Sequence, residues 1–320
     1  MQEKILITGA LGQIGTDLTI RLREIYGHEN VIVSDIHKPG YQLEYPHMFE
    51  TLNVLNRDAL HTMVEQLGIT QIYHLAAILS AKGEQDPERT WRINMDGLFN
   101  VLTVAEKCRI EKVFWPSSIA VFGKETPKMY TPQDSVTDPD TVYGITKLAG
   151  ERWCSYYNNK HQLDIRSLRF PGLVSYTQEP GGGSTDFAVE VFYNAVRGQV
   201  FKCFLNEDSL LPFMYMPDAI EAIIQLMEAP KEKLSIRSAY NVTGVSFTPK
   251  ALVEEIQKSY PNLKTTYQPD YRQEIVDGWP QTIDDSKAQE DWGWAPKFDL
   301  EKMAADMLVR IKKKVEIAFI

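Results

Sequence analysis

The stretch Lys4-Ile5-Leu6-Ile7-Thr8-Gly9-Ala10-Leu11-Gly12-Gln13-Ile14-Gly15 decides the reading of this chain. A β-branched run, Ile5-Leu6-Ile7, meets a glycine cluster and passes into helix-favouring residues. Gly9, Gly12 and Gly15 stand at G-x-x-G-x-x-G spacing. One glycine lets the chain turn tightly off a strand, one lets backbone approach a pyrophosphate, and one lets a helix pack closely on the strand. The helix that starts there points free N–H groups and the positive end of its dipole at phosphates. Three glycines alone also describe a plain turn. Their place between strand and helix, and an acid about 20 residues beyond the last glycine, select the nucleotide reading. That acid is Asp35, which ends the run Val31-Ile32-Val33-Ser34-Asp35. Its carboxylate suits the adenosine ribose hydroxyls and repels a 2′-phosphate, which favours NAD over NADP. His37 and Lys38 beside it soften that preference.

Composition narrows the class further. A chain of 320 residues holds one large domain with an appendage, or two ordinary domains. Apolar residues at 43% and charged residues at 24% describe a soluble globular protein. A net charge of −9 argues against nucleic acid or an anionic membrane surface as partner. Lys312-Lys313-Lys314, after Arg310, reads as a solvated helix end. Cys108, Cys154 and Cys203 are far apart, which fits reduced thiols in a cytoplasmic setting. No stretch approaches the roughly 20 apolar residues of a membrane span, and no leader pattern opens the chain. The histidines, His74 and His161 among them, show no ligand spacing, so no metal site is expected.

Strand-like runs alternate with helical patterns through the first half, the mark of a parallel doubly wound sheet. Thr16 to Tyr26 reads as an amphipathic helix, and Phe49 to Val54 as the third strand. Asn53 at that strand's end either meets the adenine edge or caps the next helix, Asn56 to Leu67. Gln71 to Ala77 is a buried strand ending in small residues, Leu75-Ala76-Ala77, which leave room for a cofactor across the strand ends. Ser80 follows on a loop at the same edge, either as an ordinary loop serine or as a substrate contact. A long helix runs from about Pro87 to Cys108. Asn94 in its middle costs helix propensity, which points to a specific hydrogen-bonding role. Lys112 to Ser118 is another strand, ending in two hydroxyls, and Ile165 to Phe170 a further one, stopping at Pro171-Gly172. A glycine-rich loop at Pro180 to Asp186 leads into an apolar helix, Phe187 to Val196. The expected fold is α/β: a Rossmann-type doubly wound parallel sheet with a smaller, mixed C-terminal substrate domain. The cofactor domain spans 1–175, with returning segments near 212–245. The substrate domain takes 176–211 and 246–320 and covers the crevice.

The chemistry-bearing pair is Tyr143 and Lys147, four apart at a helix start and therefore on one face. Tyrosine alone is a poor base, with a reference pKa of about 10. A nearby ammonium and a cationic nicotinamide ring favour the phenolate and bring it toward working pH. The same lysine suits the nicotinamide ribose. Ser118, across the crevice, orients the substrate oxygen toward the tyrosine. Alone, a Y-x-x-x-K pair reads as an exposed helix pair; the dinucleotide loop and the strand-end serines upstream favour catalysis.

These motifs together resemble the extended short-chain dehydrogenases/reductases, in their sugar-epimerase-like branch. Ser117-Ser118-Ile119-Ala120-Val121-Phe122-Gly123, Tyr143-Gly144-Ile145-Thr146-Lys147 and Arg169-Phe170-Pro171-Gly172-Leu173 are similar to the L-threonine 3-dehydrogenase family within that branch. So are Gly181-Gly182-Gly183-Ser184-Thr185-Asp186, Trp279-Pro280 and Trp292-Gly293-Trp294. The resemblance spans essentially the whole chain. It implies NAD-dependent oxidation of L-threonine at its hydroxyl carbon, giving 2-amino-3-oxobutanoate, and a homodimer built on the Tyr/Lys helix. It places Gly9, Leu11, Gly12, Gln13, Ile14, Asp35, Ile36, His37, Asn53, Val54, Leu75, Ala76, Ala77, Asn94 and Ser117 along the cofactor. Lys147 meets its ribose and backbone near Leu173 its carboxamide. Tyr143 takes the hydroxyl proton and Ser118 orients the hydroxyl. Ser80, Ser184, Thr185 and Trp279 are left to bind the amino and carboxylate groups. Ser184 stands where the family is expected to carry threonine, and Asn53 where many relatives have aspartate.

Two rival functions remain on this fold. A nucleotide-sugar epimerase or dehydratase usually has asparagine after the residue matching Phe170, where this chain has Pro171. It usually has an arginine for the diphosphate at the position of Leu211. A non-catalytic NAD-sensing regulator tends to lose the Tyr/Lys pair, which this chain keeps.

Overall fold

The architecture follows from alternating apolar faces along five short strands. In the computed structural model, which describes residues 3–40, 46–177 and 183–317, Leu6, Ile32, Ile72, Val113 and Ile165 point to one side of a sheet. Ile5, Ile7, Val31, Val33, Tyr73 and Phe114 point to the other. Both faces are buried, so both need a helical layer. The strands are β1 (Ile5–Thr8), β2 (Val31–Asp35), β3 (Phe49–Thr51), β4 (Gln71–His74), β5 (Lys112–Phe114), β6 (Ser117–Ser118) and β7 (Ile165–Arg166). The central sheet is wholly parallel and runs β3-β2-β1-β4-β5-β7. It is the doubly wound sheet expected from the sequence.

Helices α1 (Gln13–Tyr26), α2 (Arg57–Leu67), α3 (Ser80–Gly83), α4 (Pro87–Trp91), α5 (Gly97–Lys107) and α6 (Val142–His161) connect these strands. Side chains of α2, α5 and α6 cover one face. The other is covered by α1 and by a helix from later in the chain. The long helix expected from Pro87 to Cys108 is interrupted by one π-helical turn, Arg92–Asp96, centred on Asn94. Such turns accommodate a side chain with work to do off the helix axis.

The strand expected over Lys112–Ser118 also breaks in two. Pro116 has no N–H to continue the ladder, and β6 leaves β5's sheet to pair with β8 (Leu168–Phe170). The chain continues through β9 (Gly172–Val174), α7 (Phe187–Arg197), β10 (Phe201–Cys203), β11 (Leu211–Tyr215) and α8 (Met216–Glu228). It ends with β12 (Tyr240–Asn241), β13 (Val245–Phe247), α9 (Pro249–Gln257), β14 (Thr265–Tyr267), α10 (Tyr271–Asp277), α11 (Ser286–Trp292) and α12 (Leu300–Ile317). Among the described residues these strands form three small sheets: β12-β8-β6, β13-β11-β9 and β10-β14. A separate apolar cluster gathers α7, α9 and α12 around Phe187, Phe192, Leu252 and Met307. No helix among the described residues is long and apolar enough to cross a membrane.

Candidate active site

The strand order reverses between β1 and β4, and a crevice of about 580 Å³ opens at that point. That is the position and size at which doubly wound sheets bind small molecules. The β1–α1 turn contributes Gly9, Gly12, Gln13 and Ile14. Gly9 has φ +72°, and a Cβ there would lie 2.6 Å from the backbone nitrogen of Ala76. A Cβ on Gly15 would lie 2.6 Å from Ala10 Cα. Gly12 caps α1 without a side-chain bond, so first-turn N–H groups remain available to an anion. This cradle, which side chains would fill, fits a pyrophosphate.

Asp35, Ile36 and His37 line the crevice at the end of β2. Asp35 Oδ1 accepts the N–H of Ile36 at 2.8 Å, and Oδ2 accepts that of Leu11 at 3.1 Å. Leu11 thus reaches the crevice through Asp35 and does not itself line it. Asn53 and Val54 line the next stretch. Asn56, not Asn53, caps α2 by accepting the Ala59 N–H; Asn53 Oδ1 accepts the N–H of Leu55 at 3.0 Å. Leu75, Ala76, Ala77 and Ser80 follow along the end of β4. Asn94, expected along the cofactor, lies behind this wall. Its Oδ1 accepts the Ile78 N–H at 2.8 Å, and its Nδ2 donates to the Ile78 carbonyl and to Thr146 Oγ1, each at 3.1 Å.

Ser117, Ser118, Tyr143, Lys147 and Leu173 close the other end, with Ser184, Thr185 and Trp279 beyond. Ser80 and Ser184 are both buried, their hydroxyl oxygens 3.4 Å apart. Residues 178–182, and with them Gly181 and Gly182 of the glycine-rich loop, lie outside the described residues. Arg89, Ile93 and Asp186 also stand at the wall, and no sequence motif points to them. Asp186 ties down the end of the glycine-rich loop. Its Oδ2 accepts the Gly183 N–H at 2.7 Å, and it lines the crevice before α7.

Among the protein's own groups, burial pushes the Tyr143 phenol up to about 12, and the pull back down comes from the Ser118 hydroxyl rather than from Lys147. Lys147 is itself drawn down to about 7 by burial, against upward pulls from Cys154 and Glu151. Its Nζ donates to the Pro116 carbonyl at 2.6 Å and stands 5.4 Å from the Tyr143 ring centre. Helical spacing brings the two side chains to one face; desolvation, which spacing does not encode, decides both titrations.

One cluster escaped the sequence. His61 and Glu65, one turn apart on α2, meet Cys108 after α5 with donor atoms within 4.8 Å of one another. His61 and Glu65 stand at i, i+4 spacing on α2, and their third neighbour arrives from beyond another helix. None of the three lines the crevice.

Fold and crevice define a class: dinucleotide-dependent enzymes built on a doubly wound sheet. Comparison with known proteins makes this particular. The chain belongs to the NAD dependent epimerase/dehydratase family, whose model matches residues 5–243. An uncharacterized epimerase/dehydratase of Staphylococcus haemolyticus is 46% identical over 314 residues, 98% of each chain. The solved L-threonine dehydrogenase of Cupriavidus necator, in its holo form, is 52% identical. It superposes with a TM-score of 0.94 over 97% of this chain and 100% of that one. A monomeric L-threonine 3-dehydrogenase from a metagenome, in its apo form, is 44% identical, with a TM-score of 0.93 over 97% and 99%. Its family is one of NAD-dependent enzymes, and the solved structures it resembles are L-threonine dehydrogenases.

Proposed function

We propose that this enzyme oxidises L-threonine at its hydroxyl carbon to 2-amino-3-oxobutanoate, a cytoplasmic step of threonine catabolism toward glycine. The observation that carries the reading is the meeting of Tyr143, Ser118 and Lys147 with the buried Ser80–Ser184 pair at one end of the crevice. The C. necator structure supports the substrate. Leu211, where a sugar-nucleotide enzyme would need a cation, is buried in the core and does not line the crevice.

NAD, bound across the strand ends, supplies a hydride acceptor and a cationic ring. Gly9, Gly12, Gln13 and Ile14 hold the pyrophosphate, with Leu11 steadied by Asp35. Asp35, Ile36 and His37 take the adenosine ribose, and Asn53 and Val54 the adenine. Leu75, Ala76 and Ala77 form the floor, Asn94 fixes the loop behind it, and Ser117 and Leu173 flank the nicotinamide end. Lys147, held by the Pro116 carbonyl, would donate to the nicotinamide ribose. Ser118 donates to the substrate hydroxyl oxygen and holds it against Tyr143. Tyr143 would accept the hydroxyl proton, the cationic ring and the Ser118 hydroxyl offsetting the burial that raises its phenol. Ser80, Ser184, Thr185 and Trp279, which line this end of the crevice, would bind the amino and carboxylate groups.

Residues 1–175 with 212–245 act as the cofactor domain, and 176–211 with 246–320 as the substrate domain. α6 also exposes Ile145, Trp153 and Tyr156, and Trp153 stacks edge-on with Phe99 of α5 at 4.6 Å. That aromatic face supports a homodimer through α5 and α6. The test is the rise of NADH absorbance with L-threonine. Conversion of a nucleotide sugar to its epimer or dehydrated product without net NADH, and no rise with threonine, would move the protein to the epimerase/dehydratase reading.

A further inference from the structure

Beneath the reacting groups lies a buried ion pair that the chemistry above does not use. Glu151 sits one turn after Lys147 on α6, and its side chain is fully buried. Arg169 on β8 grips it with two bonds, Nε to Oε1 and Nη2 to Oε2, each 2.8 Å. Arg169 is itself held by the Gln133 carbonyl at 3.0 Å and Asn241 Oδ1 at 3.2 Å, with the Phe122 ring 5.2 Å from its guanidinium carbon. The pair therefore has little freedom. Glu151 Oε1 also accepts the Ser117 hydroxyl at 2.6 Å. Ser117 lies directly opposite Arg169 in the β6–β8 register. Its neighbours are Pro116, whose carbonyl takes the Lys147 ammonium at 2.6 Å, and Ser118, whose hydroxyl borders Tyr143.

We propose that Glu151, locked by Arg169, is a positioning residue that anchors the strand end Pro116-Ser117-Ser118 and so sets both the acceptor of Lys147 and the hydroxyl beside Tyr143. The inference rests on the roles given above to Lys147 and Tyr143. A buried salt bridge is by itself weak evidence of stabilisation; what marks this one is the third bond, to the strand end that carries the chemistry. Glu151 also places a negative charge near an amine that burial would otherwise discharge. The groups facing that amine are few. Tyr143, Glu151 and Cys154 come from α6, His74 from β4, and the Trp115 ring and Pro116 carbonyl from the β5–β6 link. His74 is held neutral by burial, down to about 3, so it does not compete over the working range.

The test is NADH affinity, followed by fluorescence titration across pH, in the wild type and in Glu151→Gln, Ser117→Ala and Lys147→Arg. Lys147→Arg keeps its charge and should give a flat trace, while the wild type weakens as Lys147 loses its proton. Glu151→Gln removes the charge, and Ser117→Ala cuts the tie to the strand end while keeping the carboxylate; because Ser117 also lines the crevice, the midpoint and not the affinity itself is the readout. Each should lower the midpoint by at least about half a pH unit, roughly threefold in the protonation equilibrium. A purely structural pair would lower the melting temperature and leave the midpoint in place; that result in the folded variants overturns the proposal. Should Glu151→Gln fail to fold, with Arg169 left buried and unpaired, Ser117→Ala decides alone. Coincident wild-type and Lys147→Arg traces would sink the role of Lys147 and this proposal together. Wild-type turnover of L-threonine, measured alongside, stands or falls separately.

Discussion

Asn94 and Ile78 hold each other through both of Ile78's backbone polar groups. The Ile78 N–H donates to Asn94 Oδ1 at 2.8 Å, and Asn94 Nδ2 donates to the Ile78 carbonyl at 3.1 Å. A mid-helix side chain thus acts as a strand edge for the loop after β4. The π-helical turn and the third bond, to Thr146 on α6, aim it there. Asn94→Ala strands partly buried backbone groups, at up to about 1–3 kcal/mol for each left unpaired. It should lower the melting temperature and raise the KM for threonine, because the freed loop leads directly into Ser80, which the structure places at the start of α3 and not on the loop expected from the sequence. An unchanged KM would show that the loop holds its place without the clamp.

Tyr143→Phe removes one hydroxyl from a buried site and leaves the crevice walls in place. Turnover should fall by at least about a hundredfold while NADH still binds. Near-normal turnover would exclude Tyr143 as the base.

Asp35 accepts from Ile36 and Leu11 and so presents its charge in fixed geometry at the end of β2. The enzyme should prefer NAD strongly. Asp35→Ala should narrow the NAD/NADP ratio of kcat/KM by about tenfold or more, since the charge facing a 2′-phosphate is gone. Equal efficiencies in the wild type would refute the assignment.

His74 gives the fold a pH dependence. It is fully buried, its Nδ1 lies 2.8 Å from Thr8 Oγ1, and burial draws its pKa from 6.5 to about 3. Between these values the unfolded chain binds a proton that the folded protein refuses, so stability rises with pH and drains away on acidification below 6.5. From pH 6.5 to 5 this one group withdraws about 2 kcal/mol. His74→Gln should therefore flatten the fall of melting temperature over that range. A variant that loses stability as steeply as the wild type would show that other groups govern the acid limb.

Much of the molecule was legible because its signals are local. Gly9 needs φ > 0 and a missing Cβ to pass Ala76, and that need is written into the glycine spacing. Asp35 follows from the period of strand and helix, and Tyr143 and Lys147 share a face because four residues make about one helical turn. Ser117 and Ser118 read as strand-end hydroxyls, though the break at Pro116 moved them into a second sheet.

Neighbours a few positions apart carry the alternation of strands and helices, the glycine turn after β1 and the residue types available for proton transfer. Which of these groups meet, and how they titrate, is set by packing between distant segments. Ser80 finds Ser184 across 104 positions, Asn94 turns to Ile78, and Glu151 joins Ser117 to Arg169. Burial raises Tyr143 and lowers Lys147. The reason is that desolvation depends on everything packed around a group, and most of that arrives from distant parts of the chain.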